Sequence, residues 1–211
     1  MTRAMTNVAE LIEGYRRFRR GDWTQERARW AELAEGQSPR VMVIACSDSR
    51  VDPAQIFDAS PGEIFVVRNV ANLVPPYETG GGYHGVSAAL EFAVTQLVVG
   101  EVLVMGHGSC GGCAAALSGQ FADAPPGEGG FIAHWIDMLD DARAKVLAAA
   151  PDDPAHAMEL EAVRVSLSNL MTFPFVAERV EAGTLTLRGA WFAIKDGELH
   201  VLGADGEFAP A

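Results

Sequence analysis

The chain of 211 residues predicts an α/β fold in which a mainly parallel central β-sheet is flanked by helices. Three observations carry this. Val41-Met42-Val43-Ile44-Ala45 and Val102-Leu103-Val104-Met105 are continuously apolar, as strands covered on both faces are. Between the strands lie segments whose apolar residues recur at helical spacing, the alternation that builds parallel sheets. Short motifs rich in cysteine, histidine and aspartate follow both apolar runs directly, at the strand ends where open α/β sheets place their sites. At this length, 49% hydrophobic and 21% charged residues suit one domain with a sizeable core, residues 1–211, made of an N-terminal helical arm over 1–36 and an α/β core over 37–211.

The elements follow in order. Asn7 with Glu10 forms a capping-box pattern, and Val8, Leu11, Ile12, Tyr15 and Phe18 then recur at helical spacing. Gly21 interrupts this helix. Asp22 with Gln25 can cap a second one, anchored by Trp23, Trp30 and Leu33 and ended by Gly36. An arm carrying so many large apolar groups packs either on its own domain or across a twofold axis, and the residues alone leave both open. Strand 41–45 delivers Cys46. Residues 63–68 give a second strand, and 85–98 a helix through Val86, Ala89, Leu90, Ala93 and Leu97. Strand 102–105 leads through Gly106 into His107 and Cys110. Gly111-Gly112 turns the backbone into a helix over 113–117, whose first amides point toward a metal or a bound anion. Beyond a glycine- and proline-rich loop at 119–130, helices are expected over 131–150 and 155–170, parted by Pro151 and Pro154. Two strands, 184–194 and 199–202, close the chain around a hairpin turn at Asp196-Gly197.

Charge narrows the function. Sixteen basic against 28 acidic residues give a formal charge of −12, which repels nucleic acid and anionic membranes. The basic run Arg16-Arg17-Phe18-Arg19-Arg20 reads as a solvated helix face or a partner contact. Glu91 and Glu101 break the longest uncharged stretches before they reach membrane-spanning length, so no membrane partner is expected. The start, Met1 to Glu13, lacks the pattern of a secretory signal, and the expectation is a cytoplasmic protein. An odd count of three cysteines argues against a disulfide framework and for metal ligands or core thiols.

Cys46-Ser47-Asp48-Ser49-Arg50 and His107-Gly108-Ser109-Cys110 hold the chemistry. Two thiolates and an imidazole from Cys46, His107 and Cys110 form a set that Zn²⁺ accepts tetrahedrally with a fourth position left for water. A water so bound is acidified to a nucleophilic hydroxide, although two thiolates soften that effect. Asp48 then becomes valuable as an acceptor that orients it. Arg50, always protonated, can grip Asp48 with two prongs and keep it off the metal. A structural zinc needs a fourth soft ligand, for which only Cys113 is on hand, and one turn into its helix Cys113 reads better as a small buried side chain.

These residues resemble the β-class carbonic anhydrases over most of the chain. The resemblance rests on Cys46-Ser-Asp-Ser-Arg50, on Pro61-Gly-Glu-Ile-Phe-Val-Val-Arg-Asn-Val-Ala-Asn72 and on His107-Gly-Ser-Cys110-Gly-Gly112, in the family's order and spacing. It implies one Zn²⁺ per chain on Cys46, His107 and Cys110, a catalytic Asp48–Arg50 dyad, and reversible hydration of carbon dioxide to bicarbonate and a proton. It also implies N-terminal helices that grip a second subunit, in a homodimer or a higher multiple of dimers. In the plant-like, open-site subgroup a glutamine matching Gln37 and aromatic walls matching Phe65 and Phe92 bind substrate; a tyrosine there is replaced by Phe92 here. Gly111 is expected to bind substrate through its amide, and His84 is a candidate proton relay or a helix-cap residue. The bicarbonate-inhibited subgroup has a tryptophan, an arginine and a tyrosine where this chain has Val43, Arg68 and Phe192, so that pocket is incomplete and an open zinc site is expected. Relatives of this fold that hydrolyse carbonyl sulfide or carbon disulfide, and a non-catalytic zinc or bicarbonate-binding module, stand as alternatives.

Overall fold

A computed structural model describes residues 7–80 and 82–211; the reading of Met1 to Glu13 falls in part outside the described residues. Between Gln37 and Ser38 the chain divides into two compact units.

The first unit is helical. Helix α1, Val8–Arg20, begins as the capping pattern requires, with the Glu10 amide donating to Asn7 Oδ1 at 3.2 Å. Gly21 ends it, its N–H donating to the Arg17 carbonyl at 2.9 Å. Two helices follow, α2 at Asp22–Gln25 and α3 at Arg27–Glu35. Asp22 does not cap: Gly21 occupies that place, and Asp22 lies in the first turn, where its charge faces the positive helix end. Phe18 meets Trp30 edge-on at 5.7 Å, and Arg19 stacks 3.6 Å over Trp23, so one member of the basic run is held by an aromatic face. The apolar stripe of α1 is left bare. Val8, Leu11, Ile12 and Tyr15 are all exposed, Val8 by 69%.

The second unit is built on a six-stranded sheet of order β2-β1-β3-β4-β5-β6. Strands β1 (Val41–Cys46), β2 (Ile64–Asn69), β3 (Glu101–His107) and β4 (Thr186–Ala193) run parallel, and β5 (Glu198–Leu202) and β6 (Phe208–Pro210) close the sheet antiparallel. The expected strands are all present. Their continuous apolarity matches their burial: Met42 and Ile44 face a core with Leu90, Val94 and Val163, while Val43 and Ala45 face the opposite layer with Met105. The hairpin turns where Asp196-Gly197 predicts, with Gly197 at φ 73° and its N–H bonded to the Ala193 carbonyl at 2.8 Å.

Several helices differ from expectation in extent. The helix expected over 85–98 is α5, Gly85–Glu91, continued by a π turn over Phe92–Gln96. The helix after the second motif, α6, spans Gly111–Ser118 and so starts two residues earlier than expected. The long helix expected over 131–150 is two, α7 (Gly130–Ile136) and α8 (Asp140–Ala149), joined by a 3₁₀ turn at Asp137–Leu139. Helix α9 spans Pro154–Leu170, and its cap is Asp153, which accepts the His156 amide at 3.0 Å. Unexpected are α4 (Pro53–Ile56), capped by Asp52, α10 (Pro174–Glu181) and the short β6.

The path of the chain places the site. From central β1 it moves outward to β2 on one side and then returns to β3 on the other, so the switch of direction falls between β1 and β3. In open α/β sheets that crevice, at the carboxyl ends of the strands, is where ligands bind. Cys46 ends β1 and His107 ends β3. Helix α9 lies unusually close behind them, because a Cβ at Gly106 would stand 2.8 Å from Val163 Cγ2 and one at Gly189 3.0 Å from Leu167 and Val163.

Candidate metal centre

Cys46, His107 and Cys110 converge, their ligand atoms all within 4.8 Å of one another and all three side chains buried. The two sulfurs are 4.0 Å apart. Thiolates on a tetrahedral zinc with bonds of about 2.3 Å would stand about 3.8 Å apart, so the pair needs almost no adjustment. The imidazole is oriented as a ligand. Its Nδ1 donates to the Gly108 carbonyl at 2.9 Å, which leaves the Nε2 lone pair facing the sulfurs, and that buried atom has no hydrogen-bond partner. A buried nitrogen left unpaired costs free energy unless something binds it, and a soft-to-borderline cation fits the three donors.

Hydrogen bonds within the cluster of Cys46, Cys110 and Cys113, together with burial, hold both thiols in the protonated form. The Cys110 partner and burial push Cys46 up to about 12, and the neighbouring Cys113 together with burial push Cys110 up to about 12. Metal binding must therefore expel both thiol protons and any proton on the His107 ring, which burial disfavours but the Cys46 sulfur and the Gly108 carbonyl hold more tightly than in a free imidazole. The expected result is an apparent zinc affinity that rises by about 100-fold or more per pH unit between about pH 6.5 and 7.5. A chelator competition at both pH values measures it, and affinity unchanged with pH would show that the thiolates pre-exist.

Beside this triad stands the dyad. Arg50 Nε and Nη2 donate to Asp48 Oδ1 and Oδ2 at 2.9 and 2.7 Å, and the Arg50 amide adds a third bond to Oδ1 at 3.0 Å. This grip holds the Asp48 carboxyl well below the usual carboxylate range, although burial pulls the other way. Asp48 is thus an acceptor at every pH at which turnover would be assayed. Arg68 serves the same segment from below: it donates to the carbonyls of Cys46 at 2.8 Å and Asp48 at 2.6 Å, and to Asp52 Oδ2 at 3.1 Å.

The remaining expected residues fall in different places. Gly111 is the first residue of α6, next to the ligand Cys110, and a Cβ there would meet nothing within 4 Å, so space lies open beside its Cα. Gly112 is the reverse case. Its Cβ would stand 2.7 Å from Val70 Cγ1, which seats the helix start tightly on the 70–72 turn. Phe65 and Phe92 pack together, ring centroids 6.0 Å apart. Yet Phe65 is in register with Met42, whereas Cys46 is in register with Asn69, so four residues of strand, about 13 Å, separate that pair from the same chain's cysteine. Gln37 closes the first unit and is exposed. His84 occupies the N-cap position of α5 without a side-chain capping bond; its ring Nε2 instead lies 3.2 Å from the Gly80 carbonyl. Cys113 is buried among Cys46, Cys110, Ala71 and Met158.

Two residues have roles that the sequence reading did not assign. Ser109, between the ligands, adopts a left-handed φ of 58°. Glu159, only 5% exposed, accepts the Cys110 amide on Oε1 and the Trp191 Nε1–H on Oε2, each at 3.0 Å. The signal for Glu159 was present: with Ala162, Val163, Ser166 and Leu170 it lies on the buried stripe of α9, and an acid there needs a reason.

Comparison with known proteins bears on this geometry. Residues 41–199 match the family described as carbonic anhydrase. Beta carbonic anhydrase 3 of Arabidopsis thaliana is 36% identical over 208 residues, covering 97% of this chain and 80% of that protein. The structure of the beta-carbonic anhydrase CcaA superposes with a TM-score of 0.88 at 32% identity, covering 96% of this chain and 91% of that one. Two tetrameric beta-carbonic anhydrases of Sordaria macrospora are represented by a chain with a TM-score of 0.81 at 28% identity, covering 93% and 96%. The fold and the Cys-His-Cys site therefore define a metal-dependent lyase scaffold. The chain belongs to the carbonic anhydrase family, in its β class, a family of carbonate dehydratases.

Proposed function

We propose that this protein catalyses the reversible hydration of carbon dioxide to bicarbonate and a proton, with one Zn²⁺ held by Cys46 Sγ, His107 Nε2 and Cys110 Sγ. The observation that carries the proposal is the Asp48–Arg50 dyad fixed by three hydrogen bonds beside the three converging donors. Bound there, zinc supplies a Lewis acid that makes water nucleophilic near neutral pH. Asp48, kept ionised by Arg50, can only accept, so it orients the O–H of the attacking water and leaves an oxygen lone pair for carbon. Gly111, at the start of α6, offers a backbone N–H to the negative charge that develops on a substrate oxygen.

Support for an open site near neutral pH is twofold. Asp48 is tied to Arg50, and three of the five Arg68 N–H donors, one from each nitrogen, are committed to Cys46, Asp48 and Asp52, which holds this guanidinium to the protein and not to a separate bicarbonate. A homo-oligomer is the second part of the proposal, with Phe65 and Phe92 walling the metal centre of a partner copy rather than their own. It is supported by the separation of that aromatic pair from Cys46, by the bare stripe of α1, and by the apolar patch of Val70, Phe131, Ile132 and Trp135 at the carboxyl end of β2. The Sordaria relatives are described as tetrameric. Among the described residues no helix is long and apolar enough to cross a membrane.

Stopped-flow carbon dioxide hydration from about pH 6.5 to 9, with zinc content and light scattering on the same preparation, tests this reading. Fast turnover with about one zinc per chain, in particles of two chains or a multiple of two, is expected. Full zinc occupancy without hydration would overturn it and direct attention to carbonyl sulfide, and a monomeric, active particle would overturn the shared-site part.

A further inference from the structure

One peptide unit of the metal loop is held at both ends by opposite charges. The carbonyl of Ser109 accepts from Arg50 Nη2 at 3.0 Å, and the amide of Cys110, the other end of the same peptide, donates to Glu159 Oε1 at 3.0 Å. A cation on the oxygen and an anion on the N–H lie along the peptide dipole, and each bond is of the charge-assisted kind. The unit needs holding. Ser109 is a non-glycine residue at φ 58°, a conformation that costs free energy and persists only where its surroundings impose it. The direction of the following Cα–Cβ bond, and with it of Cys110 Sγ, depends on this peptide plane.

Glu159 is built for the task. It is 5% exposed, its second oxygen is occupied by Trp191 Nε1–H at 3.0 Å, and α9 is brought against β3 by the missing side chain of Gly106. A buried carboxylate is costly, so a helix stripe otherwise lined by Ala162, Val163 and Ser166 would not carry one for packing alone. We infer that Glu159 is a positioning residue of the metal centre: by fixing the Ser109–Cys110 peptide it aims Cys110 Sγ at the metal, and through the same peptide it helps to seat Arg50, and so Asp48. This rests on zinc being held by Cys46, His107 and Cys110.

The test is zinc release. Zinc-loaded wild type, Glu159→Ala, Glu159→Gln and Trp191→Phe are mixed with excess pyridylazoresorcinol, and the rate of dye–zinc formation is followed. Glu159→Ala is expected to release zinc about 10- to 100-fold faster than wild type. Glu159→Gln should fall between them, because one carboxamide oxygen can serve only one of the two N–H donors. Trp191→Phe removes the other donor but leaves the Cys110 bond, and its release should stay within about twofold of wild type. A second readout is the thiolate-to-metal charge-transfer band of the Co²⁺-substituted proteins, which should shift in the Glu159 variants and not in Trp191→Phe. Release rates and bands in both Glu159 variants equal to wild type would overturn the inference, as would Trp191→Phe behaving like Glu159→Ala. If Glu159→Ala does not fold, the near-isosteric Glu159→Gln decides. A wild-type protein that does not retain zinc on dialysis would instead overturn the zinc reading itself.

Discussion

Cys110→Ser is expected to strip the protein of zinc and of hydration activity together. The substitution exchanges a thiolate for a hydroxyl, which is a harder donor and hardly ionised near neutral pH. What remains is one thiolate and one imidazole, a poor set for a soft-to-borderline cation. The site cannot recruit a substitute easily: Cys113 belongs to the same buried cluster, but it stands in the third position of α6, whereas Cys110 caps that helix. The fall in zinc affinity should be at least about 100-fold, enough to leave well under a tenth of the chains loaded after dialysis against a mild chelator. The fold should survive, since the replaced atom is one sulfur in a cluster that keeps Val51, Leu73, Leu139 and Met158. Zinc analysis, far-ultraviolet dichroism and stopped-flow hydration on one preparation check this, and full zinc with normal turnover would remove Cys110 from the ligand set.

The ligands were legible before the structure because their positions follow from strand ends. A continuous apolar run needs both faces covered, which fixes β1 and β3 as central strands and puts Cys46 and His107 at their carboxyl ends. Nothing in a single sequence states register across strands. That is why Phe65 and Phe92 could be named as substrate walls while their distance from the same chain's Cys46 stayed hidden. Other omissions had weak local signals. Asp52-Pro53 is a fair helix start, but α4 is four residues long and has no periodicity to confirm it. The π turn at Phe92–Gln96 and the 3₁₀ turn at Asp137–Leu139 leave the apolar pattern nearly continuous, so one helix was expected in each place. Glu159 was visible as an acid on a buried stripe, but its partner, the amide of Cys110, is a backbone group 49 residues away that no side-chain pattern reveals.

Arg50→Leu is expected to leave zinc in place and to lower kcat/KM for hydration by about 100-fold or more, the scale of losing a preorganised electrostatic contact at a reacting centre. The three ligands are untouched, so about one zinc per chain should remain. Asp48 is what changes. Without the fork on Oδ1 and Oδ2, its pKa moves up toward the ordinary carboxylate value, yet it is still ionised above about pH 5. The result is a freed anion next to a cation, able to compete with water for the open position. Arg50→Lys should recover little, because a point charge cannot reproduce the two-pronged grip and the bond to the Ser109 carbonyl together. Asp48→Ala should also keep zinc and turn over slowly, through loss of the orienting acceptor. The double variant separates the two tasks of Arg50. If Asp48→Ala with Arg50→Leu is no slower than Asp48→Ala alone, the guanidinium acts only through the carboxylate. A further loss in the double variant would measure its hold on the Ser109–Cys110 peptide, and wild-type turnover in Arg50→Leu would show that Asp48 needs no partner.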